Sequence, residues 1–159
     1  MAERFLFNTK VLPDALLDSP DGKGKVIEDF ARLRSVLDER VSDAARDLFA
    51  EPLLSQASGA GFIVSWYVPR DGEVRALHSL ATQARRTAEG LLSAQLYELE
   101  PLRTDPEIGS LLDAALSLRS REDIWVVDGA PVLVNWGMLP PEISKDPTAR
   151  SAHLTATLG

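Results

Sequence analysis

The stretch Ile124-Trp125-Val126-Val127-Asp128-Gly129-Ala130-Pro131-Val132-Leu133-Val134-Asn135-Trp136-Gly137 decides how the chain is read. Asp-Gly between two apolar runs is a strong hairpin signal, because a two-residue type I′ turn needs positive φ at both central positions. Counting outward from Asp128-Gly129 sets Val127 opposite Ala130, Val126 opposite Pro131, Trp125 opposite Val132 and Ile124 opposite Leu133. Side chains alternate along a strand. Trp125, Val127, Val132, Val134 and Trp136 therefore share one face, and Ile124, Val126, Pro131, Leu133 and Asn135 the other. Both faces are apolar, which calls for cover on both or a binding surface on one. Pro131 has no N–H and belongs near a sheet edge. A turn at Gly129-Ala130 instead would exchange the two faces.

The rest of the chain reads as helices and strands that cover this hairpin. Phe5-Leu6-Phe7 suggests a first strand, and Pro13 starts a single helical turn. From Lys25 to about Ala50, Val26, Phe30, Leu33, Leu37, Val41 and Leu48 recur at helical spacing and predict one long helix stopped by Pro52. Phe62 to Val68 reads as a strand followed by the turn Pro69-Arg70-Asp71-Gly72. Phe62, Val64, Trp66 and Val68 share one of its faces; Ile63, Ser65 and Tyr67 share the other. From Glu73 to about Glu100 a second long helix is predicted, with a closely packed seam of Val74, Leu77, Ala81, Ala84, Ala88 and Leu91. Asp105-Pro106 opens a shorter third helix. The expected fold class is α+β: a small antiparallel or mixed sheet holding the 62–68 strand and a C-terminal Trp-rich β-hairpin, packed by two long helices and one shorter helix. Residues 1–141 are expected to form one domain. Residues 142–159, poor in large apolar side chains, read as a flexible tail or the start of a linker to a further C-terminal region.

Composition narrows the function. The chain has 159 residues, a net charge of −7 and no cysteine. An acidic balance argues against nucleic acid, whose phosphates need a basic field. Without cysteine there is no disulfide, thiolate metal site or cysteine nucleophile, which suits a cytoplasmic protein. No run approaches the roughly 20 apolar residues of a membrane span. The two histidines, His78 and His153, stand apart, so zinc is not expected. Ser65 and Ser79 lack the strained strand-to-helix turn of a serine nucleophile. Gly22-Lys23-Gly24-Lys25 lacks the strand and the spacing of a phosphate-cradling loop. Glu98 with Glu100, and Glu122 with Asp123, are the nearest carboxylate pairs. The reading is of a protein that is not an enzyme and needs no cofactor or metal.

All three tryptophans, Trp66, Trp125 and Trp136, fall in predicted strands. Tryptophan anchors sheet cores and is also enriched at interface hot spots. The expected partner-binding residues are Trp136 beside Asn135, at the hairpin's open end, with Trp125. The run Val127 to Gly137 resembles a segment of bacterial SrfA-like virulence-associated proteins, over about residues 122–140. That resemblance implies a bacterial module of a multi-protein system and carries over no catalytic residue. The function expected is a non-catalytic protein–protein interaction or assembly domain, the N-terminal module of a larger system, with a homo-oligomer compatible. The alternatives are an acidic secretion-chaperone-like protein binding an apolar segment of a partner, and a small carboxylate-dependent enzyme.

Overall fold

Asp128 (φ 50°) and Gly129 (φ 79°) both take the left-handed backbone of a type I′ turn. The strands they join pair in the expected register, Val127 with Ala130 through Ile124 with Leu133. The computed structural model describes residues 4–56, 61–140, 142–143 and 146–158. In chain order the strands are β1 (Arg4–Val11), β2 (Glu51–Gln56), β3 (Phe62–Val68), β4 (Val74–Ala76), β5 (Ile124–Val127) and β6 (Ala130–Leu133). The helices are α1 (Phe30–Arg40), α2 (Asp43–Arg46), α3 (Thr82–Leu99), α4 (Gly109–Ala115) and α5 (Pro147–Leu158). The fold is α+β.

The expectation of one sheet holding both the hairpin and the 62–68 strand is corrected. The two belong to separate antiparallel three-stranded sheets, ordered β1-β3-β2 and β4-β5-β6. One parallel bridge joins them: Leu133 N–H donates to Leu48 O at 2.6 Å, and Ala50 N–H donates to Leu133 O at 3.0 Å. Strand β6 is an edge of its sheet, the place that Pro131 favours. The hairpin tip rests on Gly72, where an added Cβ would lie 2.6 Å from the Asp128 Cβ.

Both long helices begin or end elsewhere than periodicity implied. The first is broken at Val41, and Ser42 starts α2 by accepting a bond from Ala45 N–H. Glu98 of α3 fixes the break by accepting from Ser42 N–H and Oγ at 2.5 and 2.7 Å. Beyond α2 the chain becomes β2, an edge strand that tolerates Pro52. The second helix starts late because Val74–Ala76 is captured as β4 by pairing with β5. Helix α3 then buries Ala88, Leu92, Gln95 and Leu99, while Ala84 and Leu91 of the expected seam face solvent. Asp105 does cap the following segment, accepting from Glu107 and Ile108 N–H at 2.8 and 3.2 Å. Residues 147–158 are helical rather than a tail. Leu154 and Leu158 pack on the core, and Arg121 donates to Thr157 O at 2.9 Å.

Candidate interaction surface

The residues expected to meet a partner divide sharply. Trp136 and Asn135 are buried, so the expectation that they lie at an open edge is corrected. After Leu133 the chain leaves the strand, and Asn135 adopts φ 51°, a left-handed conformation that asparagine tolerates. Trp136 packs against Phe49, Phe30 and Trp66, with ring centroids 5.4, 6.0 and 6.0 Å away. Its Nε1 donates to Ala50 O at 2.8 Å. Asn135 accepts from Trp66 Nε1 at 3.1 Å and donates to Asp123 Oδ1 at 2.8 Å. Asp123 in turn accepts from Arg119 and Ser120 N–H. This buried chain of bonds joins the two sheets and serves as scaffold. Trp125 alone of the three keeps partial exposure, against Phe7 at 5.2 Å.

A different surface is open. Val64, Trp66 and Val68 of β3 point into the core, so Ile63, Ser65 and Tyr67 point out. The register extends this outer face across the sheet in three rows: Phe5, Tyr67 and Glu51; Asn8, Ser65 and Leu53; Lys10, Ile63 and Ser55. Phe5 is 48% exposed and Leu53 58%. Phe5 meets Tyr67 edge-on at 5.5 Å, and Ser65 Oγ donates to Asn8 Oδ1 at 2.7 Å. Side chains on this face are thus braced against one another before any partner arrives. At the Lys10 corner the face runs into a cleft of about 490 Å³, lined by Leu12, Asp14, Arg119, Glu122 and Pro140 among others.

Charge ties the helices to this sheet from behind. Asp47, at the end of α2, pairs with Arg46 at 2.9 Å, Arg34 of α1 at 3.1 Å and Arg70, just after β3, at 3.8 Å. Burial pushes its carboxyl up, but the bond and charge of Arg46, with Arg34, outweigh burial and hold it below the usual carboxylate range. Arg46 is correspondingly held as the cation, by Asp47 first and Asp38 second.

Of the carboxylate pairs of the enzyme reading, Glu122 and Asp123 both border the 490 Å³ cleft, and Glu98 and Glu100 take separate partners. Glu98 is bound to Ser42, Glu100 to Arg103 at 3.2 Å, and Asp123 lies in the buried network. His153 bonds the Leu118 carbonyl at 2.6 Å, while His78 borders a separate cleft with Arg85 and Glu89. Among the described residues no group of three His, Asp or Glu side chains is placed to hold a metal ion. Nor is any helix among them long and apolar enough to cross a membrane. No family model, curated protein or solved structure matches the chain. The site therefore stands on its own geometry. The alternation along 62–68 already separated the outward residues; β2 was hidden behind Pro52, so Leu53 gave no signal.

Proposed function

We propose that the chain is a non-catalytic interaction or assembly module that docks a protein partner on the outer face of β1-β3-β2. The observation that carries this is an open sheet face with Phe5, Tyr67, Leu53 and Ile63 displayed together. Exposed aromatic and aliphatic side chains on a rigid sheet lose little entropy when covered, which suits a docking surface. Lys10 at one corner supplies a charge that orients a partner. The likeness of 127–137 to SrfA-like proteins belongs to the same proposal, with the chain working in the bacterial cytoplasm as part of a multi-protein system.

Affinity capture from the source cells with the wild-type chain, beside a Phe5→Ser, Leu53→Ser double variant, tests this. The expected outcome is a stoichiometric protein held by the wild type and lost from the variant, with the variant's unfolding midpoint little changed. Identical proteins on both baits would refute the face as the docking site.

A further inference from the structure

A small cavity of about 100 Å³ lies between α4 and α5, lined by Arg103, Asp113, Ser117, Arg150, Ser151 and Leu154 among others. Its two arginines are in opposite situations. Arg103 is pinned: Nε and Nη2 donate to Asp113 Oδ1 at 2.9 and 2.6 Å, and Nη1 to Glu100 at 3.2 Å. Arg150 has no acceptor among the described residues. Its Nε is buried without a hydrogen bond, and no ion pair among the described residues includes it. A guanidinium N–H removed from water needs an acceptor to offset its desolvation.

The lining is suited to supply one kind of ligand. Arg103 donates twice to Asp113 Oδ1, so that pair is close to neutral and Arg150 leaves the lining with one positive charge in excess. Ser117, buried just after α4, and Ser151 of α5 add hydroxyl donors from opposite sides. The volume equals the share of about three water molecules, enough for one tetrahedral oxyanion and too small for a nucleoside or a sugar.

We infer that this cavity binds a small oxyanion, a phosphate ion or the phosphoryl end of a larger ligand, with Arg150 as the principal charge and Ser117 and Ser151 as neutral donors. The site is independent of the open sheet face. Calorimetric titration of inorganic phosphate into the full chain, at constant ionic strength, tests it. Saturable single-site binding is expected, weakened at least about tenfold by Arg150→Leu. Because that change also alters the packing of α5, Arg150→Lys and Ser117→Ala provide a second reading. Lysine retains part of the binding, and Ser117→Ala weakens it with Arg150 intact. Phenyl phosphate tells the sources apart: binding of both compounds assigns a phosphoryl group on a larger ligand, and binding of inorganic phosphate alone assigns the free ion. No saturable heat from either compound up to about 10 mM, or equal affinity in Arg150→Leu, overturns the inference.

Discussion

The β5–β6 hairpin is covered on both faces, whereas β1-β3-β2 is covered on one. In β5 and β6, Ile124, Val126, Val127, Pro131, Val132 and Leu133 are all buried. In β3 burial alternates, with Val64, Trp66 and Val68 inside and the residues between them only half covered. Both sheets are antiparallel and three-stranded, so strand pairing does not account for the contrast. It follows from pattern: a continuous apolar run asks for cover on two sides, and a period of two asks for one. The lesson for function is that the hairpin, buried on both sides, is the anchor, and the β1-β3-β2 sheet carries the accessible surface.

The sharpest way to break the contrast is at the joint. Trp136→Ala removes a fully buried ring packed on three other aromatics and is expected to cost about 3–5 kcal/mol in urea denaturation. Tyr67→Ala on the open face should cost no more than about 1 kcal/mol. Equal losses would abolish the distinction between the two sheets.

The tether comes next. Asp47→Asn leaves Arg34, Arg46 and Arg70 without their shared carboxylate and is expected to cost about 2–3 kcal/mol near neutral pH. Since the folded carboxyl titrates below its ordinary 3.8, its contribution is complete above that value and is lost as pH falls through the lower folded value. Stability of the wild type should therefore drop more steeply than that of Asp47→Asn below about pH 4. Parallel curves would remove Asp47 from the tether.

Smallest is the turn. At Gly129 an added Cβ meets nothing within 4 Å, so the cost of Gly129→Val is chiefly that of positive φ. About 1–2 kcal/mol is expected from the denaturation midpoint. An unchanged midpoint would mean that the hairpin can form with another turn.

How far these features could be read from sequence depended on how local their causes are. The hairpin register was legible because Asp128-Gly129 imposes it within the turn itself. The 62–68 strand was legible from alternation and from the Pro-Arg-Asp-Gly turn behind it. The break at Val41-Ser42 was missed, although Ser42-Asp43 is a helix-start signal, because the apolar spacing runs on through it. Strand β4 was absorbed into the second helix, since three residues carry too little pattern and their partner β5 lies far along the chain. Trp136 was set at an edge because strand alternation was extended past Leu133, where Asn135 turns the backbone. The open face needed β2, and Pro52 reads as a helix stop until a sheet edge is there to receive it.

The Trp66–Trp136 pair has a consequence for following the chain in time. One indole belongs to the first sheet and the other follows the second, 6.0 Å apart, and each donates to a group remote in sequence, 69 residues away for Trp66 and 86 for Trp136. Contacts of such separation form late, because loop closure precedes their reward. Mutual quenching of these two indoles is thus expected to report the meeting of the two sheets, once the signal of Trp125 is removed by substitution.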